Sequence, residues 1–218
     1  MTSDNSKIKK KILKICKRLH ARNMLAAADG NVSVRLKYDQ ILITPSGVAK
    51  AFMDSDEIAI INLQGDVISG NPSGERLMHL EVYRRCPQAQ AVIHAHPPHA
   101  IAFSIARPEL KELPAESMSE LILATGKIPI VSYARPGTAS MGEVLANHLP
   151  EHRVMILARH GALSWGEDLD EAHRGMERVE HSAQILYLAE QLGGITFLPQ
   201  EEVAYLRKMR QKIGDKSL

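Results

Sequence analysis

The run Ala91-Val-Ile-His94-Ala-His96-Pro97-Pro98 constrains this chain more than any other segment. Apolar residues on both sides of His94 read as a buried strand, and the proline pair ends it because proline cannot donate to a ladder. Alternation along a strand then turns His94 and His96 to the same face. A second strand-like run, Val154-Met-Ile-Leu-Ala-Arg-His160-Gly161, delivers a third histidine, and Glu75 stands at the start of a predicted helix. Three imidazoles and one carboxylate are a donor set for Zn²⁺ or a similar divalent ion such as Mn²⁺ or Co²⁺. Each histidine taken alone is also readable as a hydrogen-bonded core residue. What favours a site is that His96 and His160 both fall at strand ends, where sites usually form.

Around that strand the pattern alternates between helical and extended segments. Residues 7–23 predict an amphipathic helix, with Ile8, Ile12, Ile15, Cys16 and Leu19 on one face and lysines on the other. Residues 32–36 and 41–44 read as a hairpin, and 58–62 with 67–68 as another. Helices are predicted over 75–85, 98–106, 141–148, 169–192 and 201–212, with a short helix or loop over 115–124 and a strand at 128–131. Val154–Ala158 reads as a strand that continues past His160 through Leu163-Ser164-Trp165. Hairpins dominate the strand connections, so the expected fold is mixed α/β (α+β), a central, largely antiparallel sheet covered by helices on both faces. In 218 residues with 44% hydrophobic content no linker-like stretch appears, which predicts one domain over 1–218.

Charge removes two classes of partner. The net charge is only +2 and three Phe and one Trp are present, which gives nucleic-acid stacking no support. No apolar run reaches membrane-span length, and the lysine-broken N-terminus has no signal-peptide core, so a cytoplasmic location is expected. The two cysteines, Cys16 and Cys86, fall at apolar helix positions and read as buried thiols.

Three turns precede the histidine strand: Gly30-Asn31-Val32-Ser33, Thr44-Pro45-Ser46-Gly47 and Ser73-Gly74-Glu75. Each is ordinary turn chemistry on its own. Together their amides, hydroxyls and helix N-terminus are what a phosphate dianion needs to be held without a lysine. Glu75 is also favourable at a helix start through the dipole alone. Beside a dication, however, a carboxylate can ligate or serve as acid and base. His79, one turn further along, is a weaker candidate, and His99, His173 and His181 are assigned to helix faces without a role.

The motifs Gly-Asn-Val-Ser-Val-Arg at 30–35, Leu-Ile-Thr-Pro-Ser-Gly at 42–47, Ser-Gly-Glu at 73–75, Ala-Val-Ile-His-Ala-His at 91–96 and Arg-His-Gly at 159–161 occur in this order. That combination resembles the class II aldolase/adducin family, and within it most closely the zinc-dependent L-fuculose-1-phosphate aldolases. The resemblance implies that Glu75, His94, His96 and His160 surround zinc, with Glu75 catalytic. It implies that Gly30, Asn31, Ser46, Gly47, Ser73 and Gly74 hold the phosphate of a sugar-phosphate substrate. It also implies a homotetramer with active sites at subunit interfaces. Two aromatic positions of the family depart: the catalytic tyrosine after Pro114-Ala115 falls near Met118, flanked by Glu116 and Glu120, and a C-terminal tyrosine falls near Ile213. The expected activity is aldol cleavage of a ketose 1-phosphate of the fuculose, 5-deoxyribulose or methylthioribulose type to dihydroxyacetone phosphate and an aldehyde. The alternatives are a methylthioribulose-1-phosphate dehydratase, a pentulose-5-phosphate epimerase and an adducin-like scaffold.

Overall fold

A computed structural model describes residues 3–214 and 216. The chain runs through α1 (Ser3–Ala21), β1 (Asn31–Arg35), β2 (Gln40–Ile43), β3 (Ala59–Asn62), β4 (Val67–Ser69), α2 (Arg76–Arg85), β5 (Ala91–Ala95) and α3 (Pro98–Ala106). A short 3₁₀ turn at Ala115–Ser117 precedes α4 (Ser119–Ala124), β6 (Ile130–Val131), α5 (Ala139–Ala146), β7 (Val154–Leu157), β8 (Gly161–Gly166), α6 (Leu169–Gln191) and α7 (Gln200–Ile213). The strands form one sheet in the order β4-β3-β2-β1-β5-β8-β7-β6. Among the described residues only β6 and β7 pair in parallel.

Period-two alternation divides the core between the two faces. Val32, Leu42, Ile93, Ile156 and Ala162 pack with Ile12, Ile15 and Leu19 of α1, Phe103 of α3 and Met176 and Val179 of α6. Their neighbours Ile41, Ile43, Val92, Met155, Leu157 and Trp165 pack with Met78, Leu80 and Tyr83 of α2 and Met141 and Leu145 of α5. Helices therefore cover both faces, as the hairpin-rich pattern predicts. Among the described residues no helix is long and apolar enough to cross a membrane. Cys16 and Cys86 are both buried and unpaired.

One expectation needs correction. The run from Val154 to Trp165 is not one strand but the hairpin β7–β8. Arg159 takes φ +61°, the His160 amide closes back on the Leu157 carbonyl at 3.0 Å, and Ser104 Oγ accepts the Arg159 N–H at 2.9 Å. An apolar run read by hydrophobicity alone hides such a reversal, because arginine is not a residue that signals a left-handed turn. His173, expected on a helix face, lies on the buried face of α6 with its Nδ1 3.2 Å from Glu177.

Candidate metal centre

β5 lies between β1 and β8, with Asn31 opposite His94 on one side and Leu163 on the other. This central register buries His94 completely and leaves His96, just past the strand end, partly open. The β7–β8 turn brings His160 against both. Ligand atoms of the three histidines lie within 4.8 Å of one another, with ring centroids 4.7–5.2 Å apart.

The hydrogen bonds fix which nitrogens are free. The Ala162 carbonyl can only accept, so His94 Nδ1 carries the proton it donates at 2.9 Å, and Nε2 is left with a lone pair. His96 Nδ1 faces the Asp29 carboxylate at 3.3 Å, which likewise frees its Nε2. The two Nε2 atoms then confront each other at 3.1 Å. Two lone pairs at that separation repel, and a cation between them turns the repulsion into ligation. Burial pushes the His94 pKa down to about 3 and lowers that of His96, so both rings are neutral, the donor form, at ordinary pH.

Glu75 completes the cluster from the N-cap position of α2. Its Oε1 is 3.1 Å from His160 Nε2 and its Oε2 is 3.4 Å from His94 Nε2. Burial works to raise its pKa, but His160, His94 and Asn31 outweigh burial and hold the carboxyl ionised, below its ordinary range. Three imidazole nitrogens and a carboxylate fit a divalent ion of the zinc type. Gly161 makes the fit possible. A Cβ there would lie 2.6 Å from the Ala95 carbonyl, 2.7 Å from His94 Cε1 and 2.9 Å from His96 Cδ2.

Next to the cluster is a cavity of about 330 Å³, lined by Asp29, Gly30, Asn31, Ser46, Gly47, Lys50, Ser73, Gly74, Glu75, His96 and His160. All six residues proposed to hold phosphate therefore face one space. The loops are tied together by backbone: Ser46 N–H donates to Asn71 O at 3.0 Å and Ser73 N–H to Thr44 O at 3.1 Å. Gly30, at φ +67°, approaches the strand so closely that a Cβ would sit 2.8 Å from the His94 carbonyl. Asn31 differs from the other five, because its side chain is committed to Glu75 and His79.

Sequence reading missed two ionisable residues of the cavity. Lys50 is buried, donates to Ala28 O at 2.8 Å and Val48 O at 2.6 Å, and has its pKa lowered by burial. The one available signal is a lysine inside the mainly apolar run Val48-Ala-Lys50-Ala-Phe-Met. The second is Asp29, directly before the Gly30 turn, which orients His96 through its Nδ1. Glu116 and Glu120 do not line the cavity: Glu116 pairs with Arg207 of α7, Glu120 is exposed, and Met118 between them packs on the core.

Known proteins share this architecture. A 3-oxo-tetronate 4-phosphate decarboxylase of Pectobacterium atrosepticum is 29% identical over 212 residues, covering 94% of each chain. An L-fuculose phosphate aldolase of Methanocaldococcus jannaschii is 34% identical over 180 residues, 83% of this chain and 96% of its own. The solved structure of YgbL from Escherichia coli matches with a TM-score of 0.88 at 27% identity, over 94% of this chain and 100% of that one. Residues 10–187 match the model of the Class II Aldolase and Adducin N-terminal domain, a span that takes in every residue of the cluster and the cavity. The chain belongs to the class II aldolase and adducin family, where its relatives include aldolases and decarboxylases.

Proposed function

We propose that this protein is a zinc-dependent aldolase that cleaves a ketose 1-phosphate to dihydroxyacetone phosphate and an aldehyde. The observation that carries the reading is the His94–His96–His160 cluster beside an ionised Glu75, opening on a cavity lined by hydroxyls and amides. When bound, the divalent ion supplies Lewis-acid charge that offsets the negative charge developing on substrate oxygens as the C3–C4 bond breaks. Gly30, Ser46, Gly47, Ser73 and Gly74 hold the phosphate, and Asn31 lines the same pocket while its side chain anchors Glu75. Glu75, ionised at rest, takes up the proton lost from the hydroxyl that becomes the aldehyde and delivers it to the carbanion left on the dihydroxyacetone phosphate fragment. The same reading includes a cytoplasmic homotetramer, in which a neighbouring subunit can bring residues 116–120 toward the aldehyde oxygen.

Decarboxylation is the second reading, favoured by the full-length likeness to the 3-oxo-tetronate 4-phosphate decarboxylase. Loss of CO₂ from a 3-oxo acid bearing a 4-phosphate also leaves a dihydroxyacetone phosphate carbanion, so one centre serves either bond. The two readings differ in the group that leaves, an aldehyde or CO₂, and among the described residues the cavity lining holds no arginine for a substrate carboxylate.

The test is to incubate zinc-loaded protein with a panel of ketose 1-phosphates and with 3-oxo-tetronate 4-phosphate, following products by mass. Dihydroxyacetone phosphate plus an aldehyde is expected. Release of CO₂ from the acid alone would establish the second reading, and loss of roughly one water would establish a dehydratase. Glu75→Gln is expected to retain zinc and lose most turnover.

A further inference from the structure

We propose that Tyr83, Ser33, His79 and Asn31 form a one-way hydrogen-bond chain that sets the orientation of the Glu75 carboxylate, which makes His79 a positioning residue rather than a ligand. The inference rests on the role proposed above for Glu75.

The direction of the chain follows from its last member. An ionised carboxylate only accepts, so the Asn31 amide must present Nδ2–H to Glu75 Oε2, a contact of 2.8 Å. Asn31 Oδ1 then points away from Glu75 and accepts from His79 Nε2–H. With its proton on Nε2, the neutral ring has a bare Nδ1, which accepts the Ser33 hydroxyl at 2.7 Å. Ser33 Oγ in turn accepts the Tyr83 hydroxyl at 2.8 Å.

All four residues are buried, with relative exposures of 0–1%. Burial also keeps His79 uncharged by pushing its pKa down to about 4. The Asn31 carboxamide does not pass a proton from its oxygen to its nitrogen, so the chain cannot deliver protons, but it can hold geometry. It ties Glu75 Oε2 to β1 and leaves Oε1 at His160. The Glu75 side chain is thereby kept from rotating away from the cluster. Ser33 and Asn31 alternate on one face of β1, and His79 and Tyr83 stand one turn apart on α2, so strand and helix periodicities bring the four together.

Ring-nitrogen NMR of the metal-free protein tests the direction without any turnover. His79 is expected as the Nε2–H tautomer, and an Nδ1–H tautomer overturns the proposal. In kinetics, His79→Leu is expected to lower kcat about tenfold to a hundredfold, with KM and bound-metal stoichiometry little changed. His79→Gln, which keeps a donor for Asn31 Oδ1, recovers much of that loss, and Tyr83→Phe, which removes only the distant hydroxyl, lowers kcat a few-fold. A His79→Leu protein that melts earlier but turns over normally overturns the proposal, because a purely structural role would look like that. In a Glu75→Gln background His79→Leu adds no further kcat loss, whereas an independent, additive loss counts against the chain. Failure of the Glu75 reading is recognised separately, as full activity in Glu75→Gln itself.

Discussion

The histidine cluster and the stretch from Glu112 to Thr125 are attached to the molecule in different ways. His94 lies inside a central strand, and His96 and His160 lie at the ends of segments whose position is set by continuous pairing of β5 with β8 and of β7 with β8. The stretch 112–125 joins the sheet through one isolated bridge, Glu112 to Pro129. It also sets Leu113, Ala115 and Leu121 into the core beside α6, and it is fastened to the C-terminal part of the chain by the Leu198 N–H on Glu116 O, by Arg207 on Glu116 and by Arg210 on the Leu123 carbonyl. The candidate ligands are thus fixed by the ladder, while 112–125 is an outer layer fixed by packing and by contacts with α7.

His160→Ala breaks the first half of the comparison most severely. It is expected to lose bound metal and to lower turnover by on the order of a thousandfold, equivalent to several kcal/mol of charge stabilisation. Metal content measured beside kcat checks it. Gly161→Ala should do nearly as much without touching a ligand, since its Cβ must displace two imidazoles or a carbonyl. Metal occupancy falls, and stability drops by about 1–3 kcal/mol, which a denaturant titration reads.

Acidification sharpens the contrast between the half held by the ladder and the outer layer. His79 has a folded pKa of about 4 against an ordinary value of 6.5, so the unfolded chain binds the extra proton between those limits. The His79 contribution to stability is therefore complete above about pH 6.5 and declines toward pH 4, by at most about 1.4 kcal/mol per pH unit. His79→Gln flattens that slope in a series of melting curves. Lys50→Met unties the Ala28 and Val48 loops beneath the cavity. It is expected to raise KM for a phosphorylated substrate about tenfold, in keeping with the ~1.5–3 kcal/mol typical of charged hydrogen bonds. Glu116→Gln, in the outer layer, is expected to change stability by less than ~1 kcal/mol, the worth of a partly exposed ion pair. A large loss of turnover there, with stability unchanged, would assign the segment a direct part in catalysis.

The same contrast explains what could be read from sequence. Strand alternation was enough to put His94 and His96 together, and hairpin spacing was enough to expect an antiparallel sheet, because both follow from backbone periodicity. The family motifs supplied Glu75 and His160 as their companions. Hidden from periodicity were features set by contacts between distant segments. These are the reversal at Arg159, pinned by Ser104 of α3; the burial of Lys50 under two carbonyls; and the pairing of Asp29 with His96. His79 shows the limit most clearly. Its spacing from Glu75 suggested a neighbour of the site, but that its two ring nitrogens are taken by Ser33 and Asn31 depends on β1 lying beneath α2.

His94 is oriented by a carbonyl 68 residues further along the chain, and His160 belongs to that same distant hairpin. The donor set consequently exists only when β8 has closed on β5. An ion seated there recognises the finished sheet and not the open chain, so it adds RT ln(1 + [M]/Kd) to the stability of the native form. A cation held there would be a latch between two parts of the chain, and a chelator that removed it would loosen the fold.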